Sequence, residues 1–143
     1  MGMFSDSYID RLTSPSDLAS LVELHGVIIS SPHFDLGQTT CGLPDNAFVF
    51  FETIAWLSQS VRCGSWTYFE STPVARVKAL LSLLAAVAPI GLIDQYKFGA
   101  SHWTKPERLT ILDGWIVANE HSFDMWLCEL VHANKVEFRA IFP

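Results

Sequence analysis

The chain has 143 residues, half of them hydrophobic, and 15 acidic residues against 9 Lys and Arg give a formal net charge of -6. This composition excludes intrinsic disorder, which needs low hydrophobicity with high net charge, and 8 Gly with 7 Pro exclude collagen-like and low-complexity classes. The acidic balance also argues against direct nucleic-acid binding, because modules that neutralise phosphates carry a basic footprint.

In chain order, Ser14-Pro15-Ser16-Asp17 reads as a helix start, with Ser14 as N-cap and Pro15 at the first position. Leu18, Leu21, Val22 and Leu24 supply an apolar stripe up to about His25-Gly26. Val27-Ile28-Ile29 is too short to assign, and a Ser-, Pro-, Gly- and Thr-rich loop covers 30–42. From Pro44-Asp45 a long helix runs to about Arg62. Phe48, Val49, Phe50, Phe51, Ile54, Trp56, Leu57 and Val61 surround most of its wheel, leaving Glu52, Ala55, Gln59 and Arg62 as a narrow non-bulky strip. Gly64 is a left-handed stop.

Thr72-Pro73 opens the next helix, Thr as cap and Pro first, and it runs to about Val87 before Pro89 and Gly91 break it. Residues 90–98 form a short helix or turn. Thr104-Lys105-Pro106-Glu107 has capping-box spacing, and the helix after it buries Leu109, Ile111, Leu112, Trp115 and Ile116. A last helix, about 122–134, buries Phe123, Trp126, Leu127, Leu130 and Val131. The sequence therefore predicts an all-α fold: a compact single-domain bundle of about five to six helices over 1–143, in which 1–13 can be a loose N-terminal segment.

Cys41, Cys63 and Cys128 are too few and too odd in number for a disulfide-stapled scaffold. The N-terminus lacks the basic start and apolar run of a signal peptide. The most apolar stretch, 79–93, is interrupted by Ser82, Pro89 and Gly91 and is shorter than the ~20 residues a membrane span needs. A cytoplasmic protein with no membrane association is expected.

Charge is unevenly placed. Residues 1–73 hold eight acids against Arg11 and Arg62, whereas 74–143 balance seven with seven. Such asymmetry can mark an interaction surface; the plainer reading, favoured by the sequence alone, is that net charge serves solubility. Asp35, Asp45, Glu52 and Glu70 are the candidate acidic contacts. Trp66, Tyr68 and Trp103, with Phe69, fall in connecting segments where recognition residues concentrate, and Trp66, Tyr68 and Trp103 are the candidate aromatic contacts.

Chemical motifs are sparse. His121, Asp124, Cys128 and His132 share one arc of the last helix, with ligand types zinc uses, but only Cys128 and His132 are close enough to chelate together. That arc lies opposite the apolar residues and is expected to face water. Gln59-x-x-x-Cys63-Gly64-Ser65-Trp66 is similar to a thiol-protease signature but lacks the cysteine directly before the tryptophan, and a helix C-terminus disfavours thiolate formation. There is no GxGxxG, Walker, GxSxG or HExxH pattern. No cofactor and no enzymatic activity are implied.

Phe50-Phe51-Glu52 through Arg62, the turn Gly64-Ser65-Trp66-Thr67-Tyr68-Phe69, Val77-Lys78-Ala79-Leu80, and Leu109 to Trp115 continuing into Phe123-Asp124-Met125-Trp126-Leu127 together carry a resemblance. Over about 44–138 the chain resembles a bacterial helical domain of unknown function that includes a DNA-mimic protein. In that family an aromatic-rich helix ends in a Gly-Gly-Phe-x-x-Phe-like turn, and here Ser65 stands for the second glycine. The resemblance implies an all-α fold and, for one member, binding of a transcription regulator or DNA-binding protein through an acidic surface.

The expected function is a non-enzymatic interaction module that binds and neutralises or regulates a basic protein partner, a toxin or a DNA-binding protein, as immunity proteins and DNA mimics do. One alternative is a metal-binding protein or metal-dependent enzyme using Cys128 and His132. Another is a structural homodimer; the sequence leaves monomer and homodimer both open.

Overall fold

The computed structural model describes residues 6–13 and 18–141, and every regular element among them is helical. In chain order these are α1 (Asp6–Thr13), α2 (Leu18–Ile29), α3 (Asp45–Cys63), α4 (Ser65–Ser71), α5 (Val74–Val87) and α6 (Ile90–His102). A 3-10 turn (Pro106–Leu109) follows, then α7 (Thr110–Ala118), α8 (Glu120–Ala133) and α9 (Lys135–Arg139). The all-α class is as expected, but the described residues hold nine α-helices rather than five or six. The additional ones are short. Asp6–Thr13 is helical where a loose segment is expected, and α4 and α9, of 7 and 5 residues, are too short to show an apolar period. The Ser14 cap lies outside the described residues.

Two expected caps work differently. The Thr72 hydroxyl donates to the Tyr68 carbonyl at 2.6 Å, closing α4, and Pro73 occupies the N-cap of α5. At Thr104–Glu107 no side chain caps the helix; the chain makes the 3-10 turn first, and α7 begins only at Thr110. Gly64 does act as a stop. At φ +92° it terminates α3 and serves as N-cap of α4.

The chain forms two compact units, residues 1–54 with 121–143 and residues 55–120, and the boundary falls inside α3. In the first unit Phe48 and Phe50 of α3 are fully buried with Ile9, Leu21, Leu24 and Phe138. Phe50 meets the Phe138 ring edge-on, centroids 5.7 Å apart. The start of α3 is satisfied from α9: the Asn46 backbone N–H donates to Glu137 Oε1 at 2.6 Å, and the Asn46 side chain donates to Glu137 Oε2 and Asn134 Oδ1. A carboxylate there meets both the orphan N–H groups and the positive helix end.

The second unit is built on an aromatic cluster. Trp56 donates its ring N–H to Ser65 Oγ at 3.0 Å and meets Tyr96 edge-on at 5.0 Å. Tyr68 and Tyr96 share a buried hydroxyl–hydroxyl hydrogen bond of 2.9 Å, so neither phenol is stranded by burial. Gly99 on α6 lies against the Phe69 ring and Leu112, with no room for a methyl group. Asp113 of α7 reaches across 48 positions to accept the Ser65 N–H at 2.9 Å, capping α4 from a distance. Burial pushes the Asp113 carboxyl above its ordinary range, and the Ser65 hydrogen bond opposes that shift.

Two outcomes follow from this unit. Gly99→Ala should destabilise the protein by about 1–3 kcal/mol in urea unfolding, because overpacking a close contact forces neighbours to shift. Asp113→Asn keeps an acceptor for Ser65 without the desolvated charge, so at pH 7 it should match or exceed the parent stability. Asp113→Ala should lose about 1 kcal/mol, the usual effect of deleting a cap.

Candidate functional site

The structure distributes the acidic residues by unit, not by sequence half. The unit 1–54 with 121–143 holds ten acids against three Lys or Arg, a balance of -7, while 55–120 holds five against six, a balance of +1. Of the candidate acidic contacts, Asp35 and Asp45 are exposed in the first unit and Glu70 is exposed in the second. Glu52 is 3 % exposed and contributes nothing to an acidic surface. Its wheel position looked open only because no bulky residue shares the strip, and α3 is packed on that side too.

The aromatic candidates are redistributed as well. Trp66 and Tyr68 lie on helix α4 and not in a connecting segment, and Tyr68 is inside the aromatic cluster. Trp66 and Trp103 are half-buried, Trp103 at the C-terminal cap of α6. Cys128, expected on a solvated stripe, is 5 % exposed, because the apolar face of α8 is wider than its largest residues indicate. His132 is exposed and lies 3.5 Å from Asp10, beside a Lys135–Asp10 ion pair of 2.6 Å. The Lys135 ammonium holds the Asp10 carboxyl below its usual range. Among the described residues no three His, Cys, Asp or Glu side chains are grouped to hold a metal ion.

The segment between α2 and α3 brings Asp35 and Asp45 to either end of one ordered loop. Cys41 and Gly42 have φ +57° and +71°, and the Leu43 N–H donates to the Thr40 carbonyl at 3.0 Å, so Thr40–Leu43 has the pattern of a type I′ turn. Cys41 is buried in this sparsely populated conformation. Its carbonyl accepts the Asp35 N–H at 2.9 Å and its N–H donates to the Gln38 carbonyl at 3.1 Å. Only glycine suits position 42, where a Cβ would collide with the His33 carbonyl oxygen. The Asp35 carboxylate accepts the Gly37 N–H at 2.8 Å, and Ser31 Oγ donates to the Ile141 carbonyl at 2.8 Å, tying the loop to the end of the chain's described part.

The loop therefore presents Asp35, Leu36 (61 % exposed) and, past the turn, Asp45 from a fixed base. Beside it is a hollow of about 380 Å³ lined by His33, Gln38, Thr40, Leu43, Pro44 and Ile141. Sequence reasoning placed the loop and its acids but missed Leu36 and the turn; the available signal was the Asp35-Leu36-Gly37 Asx-turn spelling.

Beneath the loop, Phe34 tilts against Phe51 at 5.1 Å, and Phe51 stacks on His25 of α2 at 4.2 Å and 6°. The His25 Nε2 is buried without a hydrogen-bond partner among the described residues. Desolvation lowers its pKa from the ordinary 6.5 to about 4, so the ring is neutral near pH 7. No protein-family model, no curated protein and no solved structure matches the chain.

Because the unfolded chain protonates His25 near 6.5 and the folded chain near 4, its contribution to stability is complete above the first value. It is lost as pH falls through that window, by up to about 3 kcal/mol. Chemical unfolding at pH 7.0 and 4.5 should show this loss in the parent, and a His25→Phe variant should show a clearly smaller one.

Proposed function

We propose that the protein is a non-enzymatic interaction module that binds a basic protein partner through the loop between α2 and α3. The observation that carries this reading is the concentration of charge: a unit with a balance of -7 offers Asp35, Leu36 and Asp45 on a loop whose turn is locked by backbone hydrogen bonds. Negative potential around such a loop accelerates encounter with a basic surface and orients it. A preorganised loop loses little conformational entropy on docking, and the exposed Leu36 between the acids adds apolar contact area.

An immunity-type or DNA-mimic-type role is consistent with that charge, and the partner chemistry is the same in both: a surface rich in Lys and Arg, of a toxin or of a DNA-binding protein. For the DNA-mimic form the support is the resemblance and the acid excess of the first unit. For the immunity form it is the acid excess alone. A metal-dependent reading has no support from the placement of Cys128, which is buried while His132 is exposed beside Asp10.

The test is capture from a lysate of the source cells with the tagged full chain, with bound proteins identified by mass spectrometry. The partner should be basic, should be released as salt rises from about 0.05 to 0.5 M, where screening shortens from ~14 to ~4 Å, and should be lost with Asp35→Lys/Asp45→Lys. Its association rate should fall at least about tenfold in that variant at low salt. Binding indifferent to both salt and charge reversal would defeat the proposal.

A further inference from the structure

We infer that the outward face of α7 is a homodimer contact, on which two copies of this chain pair their α7 helices antiparallel about a two-fold axis between Gly114 and Trp115. At 100° per residue, Ile111, Gly114, Trp115 and Ala118 fall within an arc of about 100°, while Leu112 and Ile116 point the other way into the core. Ile111 was expected inside. It is instead 82 % exposed, the most exposed large hydrophobic side chain among the described residues. Gly114 and Ala118 are exposed, and Trp115 is half-buried with its ring beside Gly91.

Three observations point to a second copy as the occupant. The first is Gly114 itself. A glycine inside a helix costs stability relative to alanine, yet among the described residues outside its own helix a Cβ at Gly114 would meet nothing within 4 Å. No contact within the subunit calls for the missing side chain, whereas a closely approaching helix from outside does.

The second is charge. The only ionisable residue of α7 is Asp113, which is turned to the Ser65 N–H, so α7 itself adds no charge to this face in a chain of net charge -6. Pairing α7 with its own copy therefore sets no like charges of that helix against each other. The exposed Val22, Gly26 and Ile29 of α2 include a similar glycine, but the exposed Glu23, ion-paired with Arg11 at 3.9 Å, borders that face and makes it charged where α7 is not.

The third is shape. A two-fold contact must be complementary to itself, residue i meeting j and j meeting i. Reversed about its midpoint, the sequence Ile111, Gly114, Trp115, Ala118 sets bulky against small: Ile111 over Ala118 of the other copy, and Trp115 over its Gly114. A nine-residue helix is only about 14 Å long, so this contact is smaller than the ~800 Å² per subunit of a stable dimer. The dimer is therefore a weak, concentration-dependent one.

Sedimentation of the full chain from about 5 to 500 μM should show a monomer–dimer equilibrium with a micromolar dissociation constant. Ile111→Glu and Gly114→Gln should each weaken it at least tenfold. In dilute solution Ile111→Glu should leave the helical circular dichroism unchanged, and Gly114→Gln should raise the melting temperature, because glutamine favours a helix and meets no neighbour. In a Cys63→Ser background, the pair Ile111→Cys/Ala118→Cys should form a covalent dimer with copper phenanthroline faster than either single cysteine. A parent that stays monomeric throughout, an equilibrium unmoved by Ile111→Glu and Gly114→Gln, or single cysteines that cross-link as readily as the pair would each overturn the inference.

Discussion

The constraint on which the rest depends is the burial of α3. Its residues Ala47 to Ile54, with Trp56 and Leu57, are sealed from water, and they include the polar Glu52 and Thr53. A helix of that kind offers water almost no side, so other elements must cover it all round. In the first unit the covering includes α9, anchored by Glu137 to the start of α3, and the stack of His25 on Phe51. In the second it is the Trp56, Tyr68 and Tyr96 cluster, in which the ring N–H and both hydroxyls are hydrogen-bonded. Along α3 the Asn46 N–H, the Trp56 ring N–H and the Ser60 hydroxyl all find acceptors.

That demand also explains where function can reside. With helices committed to burying α3, the first unit leaves its exposed acids on helix surfaces and on the loop that leads into α3. The loop is stiffened from within by paired positive-φ residues and an Asx turn at Asp35, and from outside by Ser31 bound to the Ile141 carbonyl. Stiffness and charge coincide there, and that coincidence makes Asp35 and Asp45 better interaction candidates than Glu70, which the second unit carries amid a nearly neutral balance.

Long apolar stretches were legible because their pattern is sustained over several turns. The existence of α3, α5 and α8 follows from Phe48 to Leu57, from Leu80 and Leu84, and from Phe123 to Val131. Short elements were not. Ser65–Ser71 has fewer than two turns, and its helical state depends on Asp113, 48 positions away, which no local pattern reveals. Burial at the margins of a face was also hidden. Cys128 is small enough to join an apolar face without announcing it, and Ile111 is apolar yet faces outward. For the candidate site, composition marked the acids but could not separate exposed Asp35 from buried Glu52.

The remote cap at Ser65 bears on the order in which the chain folds. A seven-residue helix is too short to hold itself together in water, and the start of α4 lacks a local side-chain cap. Its N-terminal N–H is satisfied only after α7 has formed and been brought alongside, a closure of some fifty residues whose entropic cost comes before any reward. The start of α4 is therefore expected to consolidate late and to fray early. Both Trp66, one residue past the cap, and Trp56, hydrogen-bonded to Ser65 Oγ, stand where that step changes their surroundings.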